Sequence, residues 1–185
     1  MAATALPNQT TAIPRHTGLV PARHVLGLAF CAGLPLGLFG LTNLGVEAMG
    51  MIPLFFSPFG MPGPVGAIVH LAQLALLGTA WWVLCRDAPK SLARHWLTGL
   101  TVAYIALPFI TPPLDSLQLS LVSTLLLLFC LATLNRVGAA SARSGWLLAP
   151  VSIVLGTSAA LGLILTAAYT PPFALVPDAQ IHNAA

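Results

Sequence analysis

Five apolar runs dictate what this 185-residue chain can become. They lie at about 25–46, 63–85, 95–112, 117–135 and 146–170, and each approaches the ~20 residues a helix needs to cross ~30 Å of hydrocarbon. In lipid, every backbone N–H and C=O must find its partner within the protein, so apolar runs of this length fold as helices. With 57% hydrophobic and only 6% charged residues, the chain lies far from soluble proteins, in which about a quarter of residues are charged. The expectation is an all-α fold: one polytopic membrane protein, a bundle of five transmembrane helices over 25–170. An apolar first loop at 47–62 interrupts it, a flexible cytoplasmic tail (1–24) precedes it, and a loose outer tail (171–185) follows it.

The charges give this bundle a direction. Arg15 and Arg23 precede the first run, Arg86, Lys90 and Arg94 separate the second from the third, and Arg136 and Arg143 separate the fourth from the fifth. These are all seven basic residues, and they occupy alternate gaps. The remaining gaps hold Glu47, Asp115 and Asp178, three of the four acids. Basic residues accumulate in cytoplasmic loops, which predicts a cytoplasmic N-terminus and a C-terminus on the opposite side. The net charge of +3 then reflects loops facing anionic headgroups. No basic cluster has the density or motif of a nucleic-acid site.

Cys31, Cys85 and Cys130 are isolated, and no C-x-x-C occurs, which argues against disulfide exchange and against a zinc site. No metal and no cofactor are expected. His24 and His95 fall at the basic surface, so His70 has no second histidine at its own depth to share a haem or metal.

Threading the helices with alternating direction gathers the unusual polar residues near the surface free of Lys and Arg. Asn43 and Glu47 end the first helix, Asp115 and Gln118 begin the fourth, with Asp115 or Ser116 as its N-cap, and Thr166 and Tyr169 end the fifth. His70 and Gln73 are three residues apart on the second helix, hence on one face, with His70 roughly 10 Å deep at 1.5 Å per residue. The segment 48–62 is rich in proline and glycine yet strongly apolar, with Phe55, Phe56 and Phe59 among its residues. Such a loop needs some way to bury itself. It either rests in the membrane interface on its aromatics or closes over a ligand pocket. Gly27, Gly33, Gly37, Gly40 and Gly45 predict close approach of the first helix to its neighbours.

Five helices, a long proline-rich first loop and short later connections resemble the TspO family, the translocator or tryptophan-rich sensory proteins. Two stretches carry the likeness. Pro58-Phe59-Gly60-Met61-Pro62-Gly63 is similar to the family's Pro-x-Trp-x-Pro-Pro entry to helix two, with Gly60 at the tryptophan position and Gly63 at the last proline. Gly78-Thr79-Ala80-Trp81-Trp82-Val83-Leu84-Cys85-Arg86 looks like the Trp-bearing end of that helix. The resemblance implies a pocket beneath the first loop for porphyrins, sterols or other flat apolar ligands.

Three functional readings follow. In the first, the protein binds, transports or senses an apolar small molecule such as a porphyrin, sterol or isoprenoid. The site is then lined by Asn43, Phe55, Phe56, Phe59, His70, Gln73, Gln118 and Tyr169, apolar walls with a few orienting groups. In the second, it is an integral-membrane cyclase or isomerase acting on a lipid or isoprenoid, with Glu47 or Asp115 as proton donor and His70 as base. In the third, it is an accessory subunit whose Gly-rich first helix packs in a larger complex. The partners expected are membrane lipid and the apolar ligand, with a homodimer or a larger membrane complex left open.

Overall fold

The structure, a computed structural model, describes residues 22–50 and 63–169. Among them are five α-helices and no strand: α1 (Ala22–Ala48), α2 (Gly63–Asp87), α3 (Ala93–Ile110), α4 (Ser116–Ala140) and α5 (Ala142–Tyr169). Four of them, α1, α2, α4 and α5, are long and apolar enough to cross a membrane. The 18-residue α3 is shorter and carries Arg94 and His95 in its first turn.

Turn chemistry sets the helix ends. α2 opens with Gly63 and Pro64, where the missing proline N–H would be unpaired in any case. At the end of α1, the Met49 and Gly50 N–H groups bond back to the carbonyls of Val46 and Glu47, and Gly50 takes φ 77°, a left-handed conformation that glycine adopts without strain. Asp115 caps α4 in a reciprocal box. Its carboxylate accepts from the Gln118 N–H at 2.7 Å, and its own N–H donates to the Gln118 side chain at 3.3 Å. Asp115→Ala is expected to lower stability by about 1 kcal/mol, read as thermal unfolding in detergent, because the Gln118 N–H at the helix start loses its acceptor.

The connection between α4 and α5 differs most from expectation. Apolarity lapses over 136–145, but helix continues through that stretch and breaks only at Ser141, which is extended (φ −153°, ψ 109°). Its hydroxyl donates to Asp87 at 2.7 Å and accepts from the Ser144 N–H at 3.3 Å, which starts α5. The helices fold back tightly because a Cβ on Gly145 would lie 2.9 Å from the Gly138 Cα. Ser144 then donates to the Ala80 carbonyl at 2.7 Å and ties α5 to α2.

Neighbouring helices run antiparallel: Gly27 faces Trp82 while Cys31 faces Gly78, Gly99 faces Phe129, and Cys130 faces Ser152. Leu74, Leu77 and Leu84 of α2, Leu97 and Leu100 of α3, Val137 of α4 and Leu148 and Val151 of α5 form a fully buried core. This places Arg23, Arg86, Lys90, Arg94, Arg136 and Arg143 at one end of the bundle. There the Arg136 guanidinium lies 4.1 Å from the Trp96 ring centroid and that of Arg86 lies 5.4 Å from the Trp82 ring.

α1 corrects the glycine expectation. A Cβ on Gly33, Gly37, Gly40 or Gly45 would meet nothing within 4 Å among the described residues, so these positions face away from the described helices. Of the α1 glycines, only Gly27 meets a neighbour among the described residues, the Trp82 side chain. The closest backbone approach belongs to Gly78 of α2, where a Cβ would overlap the Cys31 carbonyl oxygen.

Candidate functional site

A cavity of about 390 Å³ opens between α2, α3, α4 and α5 in the half of the bundle away from the arginines. That volume falls in the ~300–1,000 Å³ range of small-molecule sites. Antiparallel packing brings the first half of α2, the last half of α3, the first half of α4 and the last half of α5 to the same depth. α2 contributes His70 and Gln73 and α3 contributes Tyr104 and Pro108. α4 adds Ser123 and Leu126, and α5 adds Leu155 and Ser158. No charged side chain is among the described residues of the wall.

The polar groups are joined across helices. The Tyr104 hydroxyl donates to the Gln73 side-chain oxygen, a short contact between buried groups 31 residues apart in the chain. His70 lies flat on the Tyr104 ring, with centroids 4.8 Å apart and planes 9° from parallel. Phe39 of α1 packs against His70 at 5.3 Å and against Phe109 at 5.6 Å, so the stack is held from outside the cavity as well. Aromatic pairs of this kind are worth about 0.5–1.5 kcal/mol beyond their burial. The Gln73 nitrogen Nε2 is buried with no hydrogen-bond partner among the described residues. Ser158 donates to its own helix, to the Val154 carbonyl at 2.8 Å.

Of the residues expected in the site, His70 and Gln73 line this cavity. Gln118 does not: it is exposed and engaged in the α4 capping box. Asn43 is half-buried on α1 and Tyr169 is exposed at the end of α5, both outside the cavity wall. Phe55, Phe56 and Phe59, like the proposed lid and most of the Pro58–Gly63 stretch, lie outside the described residues. Glu47 and Asp115 are exposed at the helix ends and Asp115 serves as a cap, so the structure does not bring either carboxylate together with His70 in the cavity. Among the described residues, no three His, Cys, Asp or Glu side chains gather as a metal site would require.

Tyr104, Ser123 and Ser158 are wall residues that sequence reasoning did not assign to the site. Their one signal was polarity in the middle of apolar runs, which for the two serines ordinary helix back-bonding also explains. A second hollow of about 240 Å³ lies between α1, α2 and α3, bounded by Phe30, Leu34, Pro35 and Trp81. Its few polar wall groups include Thr101, whose hydroxyl is spent on the Leu97 carbonyl at 2.8 Å. Comparisons of the chain with protein-family models, curated proteins and solved structures give no match.

Proposed function

We propose that this chain is a membrane protein with all five helices crossing the bilayer, its N-terminus cytoplasmic, and that it binds an apolar small molecule in the cavity between α2 and α5. The observation that carries the reading is the cavity itself: apolar walls interrupted by a few buried hydrogen-bonding groups, the pattern of a site that orients a greasy ligand. An isoprenoid or another uncharged apolar ligand suits it better than a porphyrin bearing carboxylates, since its described wall offers no cation to meet them.

The fifth crossing is supported by packing. α3 joins the inner end of α2 to the outer end of α4, and its Leu97, Leu100 and Tyr104 are buried in the shared core. At 1.5 Å per residue its 18 residues extend about 27 Å, close to the ~30 Å hydrocarbon thickness. The positive residues gathered at one end orient that end to the cytoplasm. A fusion of alkaline phosphatase to the C-terminus is expected to be active and a green fluorescent fusion dark. The reverse result puts the C-terminus on the cytoplasmic side and overturns the proposed topology, either in its number of spans or in its orientation.

For the site, Val154→Phe places an aromatic ring in the cavity wall. It is expected to weaken binding of an apolar ligand at least tenfold in an equilibrium titration of the purified protein, with the protein still folded by circular dichroism. Undiminished binding by a folded Val154→Phe variant would place the ligand elsewhere.

A further inference from the structure

Resting on the ligand-binding reading above, we infer that the cavity selects a neutral ligand with a carbonyl group, whose oxygen accepts a hydrogen bond from the Gln73 side-chain amide.

An inventory of donors and acceptors points to this class. A glutamine side chain offers an acceptor oxygen and two N–H donors, and a tyrosine offers one O–H. Tyr104 spends its O–H on the Gln73 oxygen, which leaves the amide nitrogen as the other end of a fixed group. That nitrogen has no partner among the described residues, although Gln73 is only 4% exposed. Buried donors are rarely left unpaired, because each forfeits its hydration without a replacement. Gln73 is a wall residue whose nitrogen is itself covered, so a ligand oxygen meets it only after side-chain adjustments of the kind that commonly accompany binding.

Charge and donor balance narrow the ligand further. Since the described wall contains no Lys, Arg, Asp or Glu, a carboxylate, phosphate or ammonium would enter without a counter-charge, at a heavy desolvation cost. A ligand hydroxyl would bring a donor of its own, whose proton would have to share an oxygen already engaged, that of Gln73 or Tyr104. A ketone, quinone or ester oxygen brings only an acceptor, which the free amide N–H can meet. One face of Tyr104 is covered by His70, and the aliphatic part of the wall, Leu126, Leu155 and their neighbours, is left for the rest of the ligand.

Three ligands with one skeleton separate the alternatives: decyl-benzoquinone, decyl-hydroquinone and decylbenzene, titrated into the purified full chain in lipid nanodiscs. The quinone is expected to bind about tenfold more tightly than decylbenzene, the ratio a single hydrogen bond of ordinary net strength supplies. Its carbonyl stretch, read by isotope-edited infrared spectroscopy, is expected to move to lower frequency on binding. In Gln73→Leu, and in the double variant Gln73→Leu/Tyr104→Phe, which leaves no buried hydroxyl behind, the affinity ratio is expected to fall to about one and the band shift to vanish. Equal affinities of quinone and decylbenzene in the wild type, preference for the hydroquinone, or a quinone preference that survives in the folded double variant would each overturn the inference. If decylbenzene binds and Val154→Phe abolishes that binding while the quinone gains nothing, the cavity reading stands and the carbonyl inference alone falls. Binding by none of the three overturns both.

Discussion

Gly78→Ala is expected to destabilise the protein by about 3 kcal/mol, at the upper end of what overpacking a close contact usually costs. The added methyl would overlap the Cys31 carbonyl oxygen and come within 3.0 Å of the Ala32 Cα, both backbone atoms that no side-chain rotation can move aside. α1 therefore has to separate from α2. It has little else to hold it: Pro35, Phe39 and Val46 are its only buried residues among those described, and much of its surface is exposed leucine, valine and phenylalanine. Gly33→Ala is the matched control, since its methyl would meet nothing within 4 Å among the described residues. There the ordinary preference of a helix for alanine over glycine should add about 0.5–1 kcal/mol. Thermal unfolding in detergent gives both numbers, and limited proteolysis reports whether α1 is released first. A Gly78→Ala variant as stable as the wild type would show that α1 and α2 do not meet along this strip.

The contrast between Gly78 and the α1 glycines also marks where sequence reasoning stops. A soluble helix advertises its buried face by alternating apolar and polar residues, but a helix in lipid is apolar all round and carries no such stripe. Small residues predict that helices come close, and here they do, though through Gly78 and the Gly138–Gly145 pair rather than through Gly33, Gly37 or Gly40. Helix existence was legible for another reason: the bilayer thickness imposes a length that five apolar runs approach. Helix ends were less so, because hydropathy falls where hydrocarbon ends whereas backbone hydrogen bonding continues to the next real break. Ser141 is such a break, and nothing in 136–145 marked it above its neighbours. The Asp115 cap was legible because a capping residue acts on N–H groups two or three positions away.

The same distinction divides the candidate site. His70 and Gln73 share a face by a spacing that depends on one helix only, so their pairing could be read directly. Tyr104 completes the group from 31 residues beyond Gln73, and the register of α3 against α2 that brings it there depends on the packing of whole helices. Gln118 and Asp115 were expected near the same surface by depth along the chain, and each satisfies the other at the start of α4. Depth alone does not distinguish a group facing a cavity from one capping a helix.

The Gln73–Tyr104 pair leads to the second large effect, one of non-additivity. Gln73→Leu leaves the Tyr104 hydroxyl buried without its acceptor, and Tyr104→Phe leaves the Gln73 oxygen without its donor, each at an expected cost of about 1–3 kcal/mol. The phenylalanine keeps the ring on which His70 stacks, so the second figure isolates the hydroxyl. Replacing both partners removes the orphan as well as the bond, and an apolar pair of similar shape is often close to neutral. The double variant is therefore expected within about 1 kcal/mol of the wild type, with a coupling of roughly 2–3 kcal/mol between the two sites. Unfolding of the four proteins under one set of conditions measures that coupling. Near-wild-type stability in the double variant means that the bundle does not need the hydrogen bond in order to fold, which agrees with a pair whose work lies in orienting the amide toward a ligand. A double variant as unstable as the sum of the singles would show no coupling, and so no Gln73–Tyr104 hydrogen bond to orient the amide. One as unstable as either single would instead make the pair a structural clasp between α2 and α3, and the cavity beside them would then need no ligand to account for its polar wall.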